Sequence, residues 1–400
     1  MNPVIQQESK VDVVAAAKSL IPSLRERAKE TEETRRIPEA TIKELKDLGL
    51  FKMLRPKRYG GQEQNMRTYS EAIVEISKGC GSTGWIVALC AIRELMVAES
   101  FSEKTHEEIF GQDENNVLFA GVYEPRKCIA KKVDGGYLIE EGFWMFCSGS
   151  LHATWGYFGM PIINEEGKMV DQILMTLPFS EMEIMDDWHV MGLKGTGSNS
   201  VKMTNVFIPE HRCTSFVKAL DGDFESAHLR DIPLYHTALF PALILSLGLP
   251  GVGMLKSAME FFKQGLPNRR AAHMGVEFVK DAASTHAIIA EAELKIETAE
   301  IFFFKVADDL DASAEAKEYM GRHARVKTLA DIGYANQLLK EAMDLLMSAS
   351  GSGFAYNGHP MQRILLDFLV LHSHRSLSPI ITKENFGRVL SGLESNAVRY

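Results

Sequence analysis

Seven apolar residues, Ile289, Ala292, Ile296, Ala299, Phe303, Val306 and Leu310, recur at steps of three and four without a break. That is the period of an α-helix, so they line one stripe about six turns long. The other face carries Glu291, Glu297, Lys305 and Asp308. A helix of this length cannot bury such a stripe alone, so it predicts a bundle, with room to extend into a subunit interface. The helical period returns after about Pro233 and continues to the end of the chain.

Helical patterns also fill the chain from about Val11 to Ile109. Asp12 to Arg35 is rich in strong helix formers, and Ile37-Pro38-Glu39 opens a second helix, with proline where a missing N–H costs little. That helix stops at Gly49, Pro56 to Gly61 reads as a loop, and further helices follow Asn65 and Gly84. The texture changes at about Val117. Short alternating segments, Val117 to Val122, Lys131 to Val133, Tyr137 to Ile139, Gln172 to Leu177 and Val201 to Ile208, read as strands. Asp134-Gly135-Gly136 is a hairpin signal. The expected fold class is α+β, mainly α. It comprises an N-terminal helical domain over 1–116, a central β domain over 117–225, and a C-terminal helical bundle over 226–400.

Four hundred residues, 46% of them hydrophobic, suffice for a large core. A net charge of −9 without a basic face argues against nucleic acid as a partner. The opening MNPVIQQESK has no apolar leader, and no uninterrupted apolar run reaches membrane-spanning length, so no membrane partner is expected. Cys80, Cys90, Cys128, Cys147 and Cys213 form no CxxC pair and no cluster with histidine. They read as reduced thiols of a cytoplasmic protein, and no metal is expected. Gly248-Leu249-Pro250-Gly251-Val252-Gly253 has the wrong spacing and context for a dinucleotide fingerprint.

Four stretches carry a resemblance that spans nearly the whole chain. The first runs from Arg36-Ile37-Pro38 through Leu48-Gly49-Leu50 and Leu54-Arg55-Pro56 to Tyr59-Gly60-Gly61. The second is Gly192-Leu193-Lys194-Gly195-Thr196-Gly197-Ser198, followed by Val206-Phe207-Ile208-Pro209. The others are Gly351-Ser352-Gly353-Phe354 and Gln362-Arg363. In this order they resemble the acyl-CoA dehydrogenase superfamily, and the resemblance implies that fold, with a β-barrel-like central domain and a C-terminal four-helix bundle, and a homotetramer.

The dehydrogenase branch of that superfamily needs a carboxylate base. The position that holds its glutamate in many members is Arg375 here, and arginine cannot accept that proton. The other location falls near Ala242, where no acid lies. Three features instead resemble the oxygenase components of two-component flavin monooxygenases, such as 4-hydroxyphenylacetate hydroxylase and the steroid-catabolic phenol hydroxylase. These are Gly142-Phe143-Trp144-Met145-Phe146-Cys147-Ser148-Gly149, Ser82-Thr83-Gly84-Trp85, and His374 seven residues after Asp367. That branch implies reduced flavin (FMNH2 or FADH2) from a separate NAD(P)H-dependent reductase. It also implies O2, a C4a-hydroperoxide and hydroxylation of a small aromatic or amine substrate. A flavin-dependent acyl-CoA dehydrogenase or desaturase is the alternative, and a non-catalytic flavin- or acyl-binding protein a third class.

By resemblance, Ser148 sits against flavin N5; alone, a Ser-Gly pair would merely end a strand. His374 is the expected acid–base group, since imidazole titrates near neutrality, although a helix histidine bonded to a carbonyl is the plain alternative. His372, two residues away on a helix, would face elsewhere. Arg93 stands where the phenol hydroxylases carry a substrate-deprotonating histidine. It can pair with an anionic substrate group or belong to a surface Arg93–Glu94 environment. The substitution points away from simple phenol hydroxylation, toward another aromatic such as an indole, or toward N-hydroxylation. Trp85, Phe146, Gly149, Thr196, Gly197 and Ser198 are expected at the flavin rim. Arg269 and Arg270 are expected at its phosphate, unless they are simply solvated.

Overall fold

The computed structural model describes residues 12–111, 116–163, 166, 169–272 and 275–396; the Met1 to Lys10 stretch read above lies outside them. Six helices come first: α1 (Val13–Ser19), α2 (Ile21–Thr34), α3 (Glu39–Asp47), α4 (Met66–Gly79), α5 (Gly81–Ser100) and α6 (Glu103–Phe110). The helix expected from Asp12 to Arg35 is divided at Leu20, just before Pro22, which brings no N–H to the turn it enters. Pro38 is the residue that caps α3, not part of its first turn. Helix α5 starts three residues earlier than the glycine at 84 suggests. Gly84 is not a breaker here but a close-packing residue, because a Cβ would collide with the Ser77 hydroxyl of α4.

The β part contains β1 (Phe119–Ala120), β2 (Lys127–Val133), β3 (Gly136–Trp144), β4 (Trp155–Ile163), β5 (Met169–Pro178), β6 (Glu183–Ile184), β7 (Val201–Pro209) and β8 (Cys213–Ser215). They form two four-stranded sheets, ordered β1-β4-β5-β8 and β2-β3-β7-β6. Among the described strands, only β1 and β4 pair in parallel. Strand β4 is absent from the sequence reading because its centre, Gly156 to Met160, is buried continuously and shows no alternation. Trp144, Phe158, Met175, Met203 and Ile208 fill the space between the sheets. The turn at Gly135, at φ +76°, joins β2 to β3 as the hairpin signal indicates.

Helices return with α7 (Phe216–Leu220), α8 (Leu239–Gly265), α9 (Ala283–Glu315), α10 (Arg322–Ser350), α11 (Pro360–His372) and α12 (Pro379–Leu390). The α9 stripe from Ala292 to Leu310 is buried, mainly against α10. Helix α8 lies at the centre and touches α4, α5, α9, α10 and α11; its Gly248–Gly253 stretch is helical, with no phosphate loop. Two segments, Gly81–Ser100 and Leu239–Asn268, are long and apolar enough to cross a membrane, but both are packed inside the protein. Their apolarity all round reflects a central position.

One ion pair ties α5 to the chain before α4. Arg55 donates to Glu94 through Nε (2.9 Å) and the second guanidinium nitrogen (2.6 Å), with each side chain 1% exposed. Burial pushes the Glu94 carboxyl up, against the pull of Arg55. Removing one partner strands the other in the core. Arg55→Met should therefore lower the unfolding free energy by about 3–5 kcal/mol. The double variant R55M/E94L should recover much of that loss, as read by urea denaturation. Equal losses in the two variants would argue against the pair as the source.

Candidate active site

The register of β3 on β7 places the site. Trp144 stands opposite Val201 at the end of the antiparallel ladder, so the chain leaving β3 runs beside the chain entering β7. The contact continues past the strands. The Cys147 amide donates to the Asn199 carbonyl at 3.1 Å, and the Gly149 amide to the Thr196 carbonyl at 2.9 Å. Positive φ at Phe146 (67°), Gly149 (81°), Leu193 (51°) and Gly197 (49°) curls both segments.

Between them lies a row of hydroxyls. Trp85 Nε1 donates to Ser148 Oγ at 3.0 Å. Ser148 Oγ is 2.7 Å from Ser198 Oγ, which is 2.6 Å from Thr196 Oγ1. Thr196 Oγ1 then donates to the Leu193 carbonyl at 2.7 Å. The indole comes from α5 and the hydroxyls from the two loops, all of them buried. Phe146 stands beside this row, 56% exposed, with its ring edge-on to Trp188.

A third element fastens the loop. The Asp367 carboxylate of α11 accepts the Leu193 amide at 2.5 Å, and a Cβ on Gly192 would collide with the Leu366 carbonyl. Burial pushes Asp367 up to about 7, against the pull of that amide and of Arg363. Asn199 adds a second brace, its Oδ1 accepting from the amides of Asp187 and Trp188. Neither residue stands out as a site residue in the sequence. The one legible signal is a lone acid, Asp367, within the apolar run Ile364 to Leu371.

His374 lies outside any α-helix. Helix α11 ends at His372, and His374 caps the short 3-10 turn Arg375–Leu377, its Nδ1 accepting from the Ser376 amide at 3.3 Å. Its proton therefore sits on Nε2. The ring is 6.1 Å from that of Trp85, while His372 turns away and stacks on Phe368. Burial pushes His374 down to about 4, so the near-neutral titration expected of it is replaced by a neutral imidazole.

Arg93 is not on the surface, and neither is Glu94. Arg93 lies two turns beyond Trp85 on α5, 7% exposed, donating to the carbonyls of Leu89 (3.2 Å) and Gly121 (2.7 Å). Glu94 belongs to Arg55, and among the described residues no carboxylate comes within ion-pair distance of Arg93. Arg269 and Arg270 are not brought to the hydroxyl row within one chain. They follow the C-terminal end of α8, where Arg269 donates to the Ser350 carbonyl and Arg270 is exposed, 4.0 Å from Glu277.

The arrangement fits a flat heteroaromatic ring. Trp85, Phe146 and Trp188 supply apolar walls, and an added Cβ at Gly149 would meet only Ile86, at 3.8 Å. Ser148, after receiving Trp85 and pairing with Ser198, keeps one bonding position free. Asp367→Asn keeps an oxygen for the Leu193 amide and removes the titration. Because the folded carboxyl is raised from 3.8 to about 7, its stabilising contribution is complete below pH 3.8 and lost as pH rises through 7. The melting temperature of D367N relative to the natural chain should therefore rise between about pH 4 and 7 and level off above. A flat difference would show that Asp367 does not titrate there.

Comparison with known proteins bears on this geometry. The family model for the acyl-CoA dehydrogenase N-terminal domain matches residues 13–107, and that for the acyl-CoA dehydrogenase C-terminal domain matches residues 245–379. The flavin-dependent monooxygenase, oxygenase subunit HsaA, of Mycobacterium tuberculosis is 32% identical over 97% of this chain and 98% of its own. The p-hydroxyphenylacetate 3-hydroxylase, oxygenase component, of Acinetobacter baumannii is 26% identical over 96% and 90%. The structure of XiaF from a Streptomyces species, in complex with FADH2 and glycerol, superposes with a TM-score of 0.90. It is 25% identical and covers 98% of this chain and 98% of that one.

 The missing glutamate base, the buried hydroxyl row and these relatives point one way: the chain belongs to the acyl-CoA dehydrogenase superfamily, as the oxygenase component of a two-component flavin-dependent monooxygenase.

Proposed function

We propose that this oxygenase hydroxylates a small aromatic substrate carrying an anionic group, and that Arg93 receives that group. The observation that carries the substrate assignment is the state of Arg93, a buried cation with no carboxylate partner among the described residues. A guanidinium has five N–H donors, and only two are spent on carbonyls. A buried charge without a counter-ion is unfavourable, and an anion supplied by the substrate relieves it. An ammonium would be repelled at the same place, which disfavours an amine. The aryl acetate named for the Acinetobacter relative is a substrate of this kind.

Reduced flavin, when bound, activates O2 so that one oxygen atom passes to the substrate. A separate reductase supplies it, as for oxygenase components in general. The chain's own residues bind and shield. Ser148 would take a hydrogen bond from flavin N5, with Thr196, Gly197 and Ser198 behind it and Trp85, Phe146 and Gly149 at the rim. His374, neutral and protonated on Nε2, offers an N–H to an oxygen on the substrate side. Arg269 and Arg270 would reach flavin phosphate only across a subunit boundary. A homotetramer is supported by apolar side chains left exposed on α9 and α12, among them Ile301 (66%) and Ile380 (81%). Five free thiols fit a cytoplasmic setting.

Two measurements test this reading. Ser148→Ala should divert turnover from product to hydrogen peroxide, raising peroxide per flavin oxidised; unchanged coupling would remove Ser148 from the role. For Arg93, 4-hydroxyphenylacetate and its neutral analogue 4-ethylphenol serve as probes. Arg93→Met should weaken the carboxylate about 10- to 100-fold while leaving the neutral probe nearly unaffected. Equal affinity for both probes in the natural chain would exclude an anion site at Arg93.

A further inference from the structure

We propose that Thr196 and Ser198 are positioning residues that hold the Ser148 hydroxyl proton away from the flavin, so that Ser148 meets the flavin only as a hydrogen-bond acceptor. This rests on the reading that Ser148 faces flavin N5.

The direction of every proton in the row follows from its two ends. An indole N–H can only donate, so Trp85 donates to Ser148. A carbonyl can only accept, so at 2.7 Å the Thr196 proton lies on the Leu193 side. Thr196 has then spent its one proton, and in the 2.6 Å contact Ser198 must donate to Thr196. Ser198 is spent in turn, and in the 2.7 Å contact Ser148 must donate to Ser198. Reversing the row would press the oxygens of Thr196 and Leu193 together with no proton between them. Ser148 therefore retains a single free lone pair and no free proton.

That polarity distinguishes two redox forms of one cofactor. Reduced flavin carries a hydrogen on N5 and can fill the free lone pair. Oxidised flavin presents a lone pair at N5, which meets the Ser148 lone pair without a bond. The row thus makes one hydroxyl, able in principle to serve either form, selective for the reduced one. Thr196 and Ser198 act on the flavin through Ser148, and the fixed point of the whole row is the Leu193 carbonyl. The Leu193 amide is itself held by Asp367.

The test compares the affinities of the purified full chain for FAD and for dithionite-reduced FAD, titrated anaerobically. Thr196→Val and Ser198→Ala each free a proton toward the flavin. Each should lower the ratio of the oxidised to the reduced dissociation constant roughly tenfold, chiefly by tightening FAD. Thr196→Ser keeps the row and should keep the natural ratio, which separates proton direction from packing. In a Ser148→Ala background, neither Thr196→Val nor Ser198→Ala should move the ratio further. If Ser148→Ala shifts the ratio but T196V and S198A do not, the polarised row is overturned while the N5 contact stands. If Ser148→Ala itself leaves both the ratio and the peroxide yield unchanged, the contact with N5 fails and the proposal falls with it.

Discussion

Trp144 opposite Val201 is the last paired rung of the β3–β7 ladder, and the two loops that leave it continue side by side. From that one register follow the contacts between Cys147 and Asn199, between Ser148 and Ser198, and between Gly149 and Thr196. A slip by one residue would turn every side chain of β7 to the other face of its sheet and dissolve the hydroxyl row. The core between the sheets guards against this slip, since Trp144, Met203 and Ile208 are all fully buried in the observed register. Packing in the β part thus sets chemistry at its edge.

The helices complete the site by closing it from the other side. Helix α5 passes through the interior and carries both Trp85 and Arg93, so a single rigid element spaces the hydroxyl row from the buried cation. The ion pair of Arg55 with Glu94 and the packing of α4 and α8 hold that element in place. Helix α11 contributes Asp367 to the loop of β7 and ends where His374 begins. Three parts of the chain therefore meet at one place, each fixed by contacts of its own.

Electrostatics in this interior depart from ordinary values in a consistent direction. Burial keeps His374 neutral and raises the carboxyls of Asp367 and Glu94, because a low-dielectric surrounding disfavours each charged form. The buried Arg55 and Arg93 cannot be neutralised in this way, since arginine does not lose its proton. What sets Arg93 apart from Arg55 is the carboxylate: Arg55 has Glu94, and Arg93, among the described residues, has only carbonyls.

Much of this was legible beforehand. The unbroken stripe from Ile289 to Leu310 and the alternating segments after Val117 determine helix, β and helix in that order, because side-chain period is a local property of the backbone. The Gly142 to Gly149 and Gly192 to Ser198 motifs, with Arg375 in place of a carboxylate, likewise mark the superfamily and its oxygen-using branch. Other features had no local signature. Strand β4 hides its period because both of its faces are covered. Arg93 reads equally as a substrate-pairing or a surface residue, and only the closure of Gly121 over α5 shows it to be buried. His374 reads as helical, yet the helix stops at His372. The direction of the protons from Trp85 to Leu193 depends on oxygens brought within hydrogen-bond reach from loops fifty residues apart. Sequence determines which groups are present and in what local conformation; only tertiary structure decides which of them share a proton, because that depends on distances between segments that no local pattern encodes.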